Sequence, residues 1–307
     1  MPTFYEILAA AATTDEPVAL GIITHVKGSS PQKVGAKALF YADGRIAGTM
    51  GGGCLEAEIQ DRARQSLITG KPETFDLVLD HDFGWDDGLI CGGRVGGVIL
   101  PRIHSAAPIW TELARRQHSM TWGITDDFKI NWADPTSTGR YRETVTPPCA
   151  LWIAGAGHIA QAVAPMALAL DFTVTVFDDR PALANKEIFP GVTLRVGDWE
   201  KTLTESLVAP STFGLIVTRG HRHDALVLRH WITRDFAFLG MIGSKRKART
   251  IKEHFFAEKI GTEAALEKLA CPVGVNIAAT SVPEIAVSIL AQYIDQRALF
   301  LEGQPPA

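Results

Sequence analysis

Apolar and polar positions follow two different rhythms along this chain. In the first half, short β-branched runs stand between glycine turns. "VALGIITHV" (18–26) predicts a strand, "AKALFYADGRIAGTM" (36–50) a hairpin about Asp43-Gly44, and "RVGGVILPRI" (94–103) another strand. Leu55, Ile59, Ala63 and Leu67 recur every four residues, a stripe down one face of a helix. Strands and helices in this irregular order predict an α+β domain over residues 1–132, without fixing the order of its sheet. Residues 133–148, "ADPTSTGRYRETVTPP", are polar and proline-rich and predict a linker.

The second half is more regular. "CALWIAGAGHIAQAVAPMALALDFTVTVFDD" (149–179) reads strand, glycine turn, helix, strand, with Pro165 expected to kink the helix. Further strands at 192–196, 213–220 and 236–243 alternate with helical patterns. The fold class is therefore α/β: an N-terminal α+β domain, then a Rossmann-like doubly wound parallel sheet over residues 149–307.

Composition narrows the function classes. Hydrophobic residues make up 46% and charged residues 21% of the 307, the balance of a globular protein. The net charge of -4 and scattered basic residues predict no nucleic-acid partner. The start of the chain has no basic n-region, and no run of 18 apolar residues exists, so neither a secretory signal nor a membrane span is expected. Cys54, Cys91, Cys149 and Cys271 are far apart and form no CxxC pair, which argues against structural zinc or a disulfide framework and for a cytoplasmic protein with reduced thiols.

Six segments, three in each half, carry candidate chemistry. In "GTMGGGCLEAEI", Gly51, Gly52 and Gly53 place Cys54 at a helix N-terminus, where the dipole favours a thiolate and glycine N–H groups can nest an anion. Glu56 and Glu58 in the same turn oppose that effect, and a small residue after a tight turn is the plainer alternative. Cys91 meets Gly92 and Gly93, with Arg94 next to hold a thiolate or phosphate, although a buried cysteine opening a strand reads equally well. "GSSPQKVGAK" offers Ser29, Ser30 and Lys33 or Lys37 to a phosphate.

The turn Gly155-Ala156-Gly157-His158-Ile159-Ala160 matches G-x-G-x-x-A in its strand–turn–helix setting, and Asp178 follows at the end of the next strand. Asp178 is expected to accept from ribose hydroxyls, favouring NAD, a preference that Arg180 weakens. His221, His223 and Asp224 follow the fourth strand of this domain; a ligand contact or helix cap suits them better than a metal, since further ligands are lacking. After the fifth strand, Ser244 is expected to cap a helix whose first turn carries Lys245, Arg246 and Lys247. Positive residues there oppose the helix dipole unless an anion is bound.

Taken in order, "GSSPQKVGAK", "GTMGGGCLEAEI", "GLICGGRV", "IAGAGHIA", "VFDDRP", "TRGHRHD", "FLGMIGSKRKA" and "CPVGVNIAATSVPEIAVSI" resemble the XdhC/CoxI family of molybdenum-hydroxylase accessory proteins over nearly the whole chain. The resemblance implies a chaperone that binds and protects the molybdenum cofactor (molybdopterin), assists its sulfuration with a cysteine desulfurase, and delivers it to an apo-enzyme of the xanthine dehydrogenase type. It makes Cys54 and Cys91 the candidates for contact with molybdenum, with Gly51 to Gly53, Gly92 and Gly93 around them. Some relatives have adjacent cysteines where this chain has Ile90-Cys91. The competing readings are an NAD-dependent oxidoreductase using His158 or His221, and a scaffold without a cofactor site. A homodimer is expected on general grounds.

Overall fold

A computed structural model describes residues 2–30, 32–79, 93–134 and 136–303. The chain divides into two compact units, the first ending at Pro147 and the second starting at Pro148.

The first unit runs α1 (Phe4–Ala12), β1 (Val18–Lys27), β2 (Lys37–Tyr41), β3 (Ile46–Gly48), α2 (Gly53–Thr69), β4 (Glu73–Leu79), β5 (Gly93–Leu100), a short 3-10 turn (Ile103–Ala106), α3 (Ala107–Arg115), β6 (Met120–Ile124), β7 (Ile130–Trp132) and β8 (Tyr141–Val145). Its main sheet has the order β3-β2-β1-β5-β4 and is antiparallel at every pairing. β1 is buried on both faces, and its period-2 pattern divides two cores. Val18, Leu20 and Ile22 pack with Leu8, Trp110 and Trp122 on one side, while Ala19 and Ile23 pack with Leu55, Ile59 and Ala63 of α2 on the other. The helical stripe read from the sequence is thus the inner face of α2.

The segment 133–148, expected to be a linker, holds β8, which pairs antiparallel with β6 from Met120↔Val145 to Ile124↔Tyr141. Only Tyr141 and Val145, the two ends of the strand, are buried. Three exposed or half-buried polar residues between them, and prolines on either side, hide the strand from a search for apolar alternation.

The second unit runs β9 (Ala150–Ala154), α4 (His158–Ala169), β10 (Thr173–Asp178), β11 (Thr193–Val196), α5 (Trp199–Glu205), β12 (Thr212–Ile216), α6 (His221–Trp231), β13 (Phe238–Met241), α7 (Lys245–Ala257), α8 (Glu263–Lys268) and α9 (Val282–Glu302). The sheet is parallel, in the order β11-β10-β9-β12-β13. Leu151 and Ile153 face a core with α4 and α9; Trp152 and Ala154 face one with α5, α6 and α7. α4 continues as a helix past Pro165. The strand order reverses between β9 and β12, and such a switch point opens a crevice at the C-terminal ends of the strands.

Candidate functional site

Antiparallel pairing gathers the motifs of the first unit at one end of its sheet. Lys27 at the end of β1 lies opposite Arg94, Leu79 at the end of β4 opposite Gly93, and Gly48 at the end of β3 opposite Ala38. The loop after β1 rests on β5, where a Cβ on Gly93 would lie 1.8 Å from the Ser29 carbonyl oxygen. Gly51, Gly52 and Gly53 all have positive φ, at 121°, 71° and 59°. Among the described residues, a Cβ on Gly52 or Gly53 would meet nothing within 4 Å. Cys54 follows in the first turn of α2 and is half-buried.

Several side chains take parts different from those expected. Glu56 turns back on the glycine run, accepting from the Met50 N–H at 2.8 Å and the Thr49 hydroxyl at 3.1 Å, while Glu58 pairs with Arg62. Arg94 makes a bidentate pair with Asp76, both bonds 2.6 Å, so its guanidinium is already engaged. Lys37 points inward with 9% of its side chain exposed, 2.7 Å from Glu143 Oε2, and donates to the Gly35 carbonyl. Tyr5 and Tyr141 donate to the same Glu143 oxygen at 2.7 and 3.0 Å. Lys37 is therefore taken out of the phosphate-binding role, whereas Lys33 is exposed. Cys91 and Gly92 lie outside the described residues.

In the second unit the predicted residues converge on the C-terminal edge of the parallel sheet. Gly155 (φ 112°) is held against β12: a Cβ there would lie 2.4 Å from the Val217 carbonyl oxygen. Gly157 is the N-cap of α4 and Gly220 that of α6. Neither has a side-chain acceptor, so first-turn N–H groups are left to a ligand or water, and the helix dipole adds positive potential. Among the described residues, a Cβ on Gly157 or Gly220 would meet nothing within 4 Å. His158 and His221 are exposed at the first positions of these helices. Ser244 caps α7 by accepting from the Lys247 N–H at 3.2 Å, leaving Lys245 exposed at its first position.

Asp178 departs from its expected role. It is buried, with 2% exposure, and accepts from the Ala156 N–H, the Arg180 N–H and the Arg180 guanidinium. Burial opposes its ionisation, but the Arg180 side chain and the two backbone N–H groups outweigh that and hold the carboxyl below its ordinary range. Asp224 is likewise turned inward. It accepts from the Thr218 N–H and hydroxyl and from Lys247, so it is unavailable to a metal beside His221 and His223. Among the described residues no three His, Cys, Asp or Glu side chains group as metal ligands.

The sequence reading gave Cys271 no part in a site; its Sγ lies 3.2 Å from where a Cβ on Gly243 would stand, alongside the Lys247 chain. Burial pushes this thiol up, with Lys247 and Lys252 opposing. The chain is held there by backbone bonds to β13, from the Ala270 N–H to the Leu239 carbonyl, from the Met241 N–H to the Ala270 carbonyl and from the Val273 N–H to the Met241 carbonyl.

In the first unit a glycine turn precedes the half-buried Cys54 thiol; in the second, the N-termini of α4 and α6 present N–H donors that suit phosphate oxygens. The tip of β10 does not suit a ribose diol, since the acceptor there is already filled.

Comparison with known proteins bears on both units. The profile described as "XdhC Rossmann domain" matches residues 151–293, and that of the "XdhC and CoxI family" matches residues 11–78. A Bacillus subtilis protein named as a probable xanthine dehydrogenase subunit is 24% identical, covering 97% of this chain and 98% of its own. The molybdenum cofactor insertion chaperone PaoD of Escherichia coli is 23% identical over 96% of this chain and 88% of its own length. The uncharacterized protein YqeB of Escherichia coli is 29% identical over 94% of this chain, which spans 46% of that protein. A crystal structure of a xanthine dehydrogenase from Bacillus halodurans superposes with a TM-score of 0.82 at 25% identity, over 98% of each chain. No helix among the described residues is long and apolar enough to cross a membrane. With one profile on each unit and the same fold along the whole chain, this protein belongs to the XdhC and CoxI family.

Proposed function

We propose that this protein is a molybdoenzyme accessory factor. It binds the molybdenum cofactor, shields it during sulfuration by a cysteine desulfurase, and delivers it to an apo-enzyme of the xanthine dehydrogenase type. The observation that carries the reading is the end-to-end similarity to a chaperone named for molybdenum cofactor insertion, joined to family membership in both units. When bound, the cofactor supplies the dithiolene-held metal that its client enzyme uses.

Each unit, taken by itself, offers candidate contacts to that group. Gly157, Gly220 and the first turns of α4 and α6 offer N–H donors to a phosphate, and Lys245 adds positive charge at α7. Gly51 to Gly53 let the backbone approach a ligand closely and present Cys54, with Cys91 as the second candidate thiol. Thiols far apart in sequence suit a reducing cytoplasm, and a homodimer is the expected assembly. An NAD-dependent oxidoreductase is disfavoured by the filled Asp178 carboxylate.

The test is anaerobic titration of purified protein with molybdenum cofactor, followed by activation of an apo-xanthine dehydrogenase. Tight binding that weakens in Cys54→Ala, Cys91→Ala or Gly157→Asp, with parallel loss of activation, supports the reading. Wild-type protein that neither binds the cofactor nor activates the apo-enzyme rejects it.

A further inference from the structure

Building on the ligand-binding edge assigned above, we propose that Asp178 and Arg180 make it selective for a phosphate ester and close it to the ribose diol of an adenine dinucleotide.

A carboxylate offers about four lone-pair sites, and each of Asp178's is filled from within the protein. Oδ1 accepts from the Arg180 backbone N–H at 2.9 Å and from its Nε at 2.8 Å. Oδ2 accepts from the Ala156 N–H at 2.7 Å and from Arg180 Nη2 at 2.8 Å. Two of these bonds shape the backbone, one of them inside the glycine turn itself. The other two come from the guanidinium alone, and with them no lone pair of Asp178 is left to accept from a ribose diol. A guanidinium is donor-only, so a hydroxyl pair seeking an acceptor meets donors. Phosphate oxygens, being acceptors, are compatible with the same surface.

A second ion pair reinforces the closure. Asp179 accepts from Arg219 Nη1 at 3.1 Å and Nη2 at 2.8 Å. Asp179 follows β10 and Arg219 follows β12, the two strands that flank β9, so the pair bridges the strand ends on either side of the glycine turn. The same Arg219 nitrogen lies 3.0 Å from His223 Nε2. A dinucleotide runs from the glycine turn toward the acidic tip of the second strand. Here that path is lined by paired charges, whereas the N-termini of α4 and α6 are unobstructed at Gly157 and Gly220.

Calorimetric titration with NAD and with inorganic pyrophosphate, on wild type and Arg180→Ala, tests the proposal. In wild type, NAD should bind no more tightly than pyrophosphate, since its ribose gains nothing. In Arg180→Ala the two freed lone pairs should tighten NAD by at least about tenfold relative to pyrophosphate, and adding Gly157→Asp should abolish the gain. Wild-type NAD affinity tenfold above that of pyrophosphate overturns the proposal, as does a folded Arg180→Ala protein with no gain. Circular dichroism establishes folding; if Arg180→Ala does not fold, the wild-type comparison decides. These probes involve neither molybdenum nor a client enzyme, so this proposal and the accessory reading fail by separate measurements.

Discussion

Lys247 Nζ lies 2.5 Å from Asp224 Oδ2 and 3.0 Å from the Ile242 carbonyl oxygen, tying the start of α7 to the buried Asp224 in the first turn of α6. Asp224 is 1% exposed and also holds Thr218 through its N–H and hydroxyl, so one carboxylate organises the turns after β12 and β13. Asp224→Ala should destabilise the second unit by about 2–3 kcal/mol, because it removes three bonds and leaves an ammonium without its partner. Asp224→Asn, which keeps an acceptor for Thr218, should cost less. Urea unfolding of the variants checks this; an unchanged midpoint for Asp224→Ala would show that the pair does not hold the two turns.

The two glycines of the dinucleotide fingerprint should respond in opposite ways. Gly155→Ala drives a Cβ to 2.4 Å from the Val217 carbonyl at a φ of 112°, and should cost about 2–4 kcal/mol. Gly157→Ala meets open space at a φ of -77° and should change stability by no more than about 0.5 kcal/mol. Its effect should fall on phosphate binding instead. Thermal melts beside pyrophosphate titrations separate the two; equal destabilisation would contradict the placement of the turn.

The first unit should lose stability in alkali. Burial, reinforced by the charge of Glu143, raises both Tyr5 and Tyr141 far above the ordinary 10.0. Their contribution is fully present below pH 10.0. Above it the unfolded chain ionises while the folded one stays protonated, and stability falls by up to about 1.4 kcal/mol per pH unit for each tyrosine. Tyr5→Phe should flatten that slope, at the cost of leaving the Trp122 indole N–H without its acceptor. Denaturant unfolding between pH 8 and pH 11 measures it, and a flat profile in wild type would contradict the buried cluster.

Acid should loosen the start of α9. Glu284 accepts from the Ser281 and Thr280 N–H groups and from the Thr280 hydroxyl, which lowers its carboxyl to about 2. A lowered carboxyl contributes stability above its ordinary 4.5 that disappears as pH falls from there toward 2. Glu284→Gln should remove this acid-dependent part while leaving the helix itself. Amide exchange at Ser281 and Glu284 across that range reports it, and protection that ignores pH in wild type would refute the capping role.

How much was legible depended on how local each cause was. The glycine turn of residues 155–157, the hairpin at Asp43-Gly44 and the Ser244 cap are set by residues within a few positions of one another, and all three stand where the pattern put them. The pairing of Arg180 with Asp178 was nearly as local, two residues apart. An arginine just beyond the acidic residue of the fingerprint is a signal to ask whether the acceptor is claimed from inside. By contrast, Lys37 and Glu143 meet across more than a hundred residues, so Lys37 read as an available cation.

By itself, then, the sequence determined the α/β class, the parallel sheet from β9 to β13 and the family, because near-continuous apolar runs, glycine turns and ordered motifs are written within short windows. Tertiary structure alone decided the order β3-β2-β1-β5-β4, the strand hidden at Tyr141–Val145, and which charges, such as Lys37 with Glu143, are paired within the protein. The physical reason is the same in each case. A strand's neighbours and a buried charge's partner are chosen by which distant surfaces can satisfy them together, and no short window of sequence contains both sides.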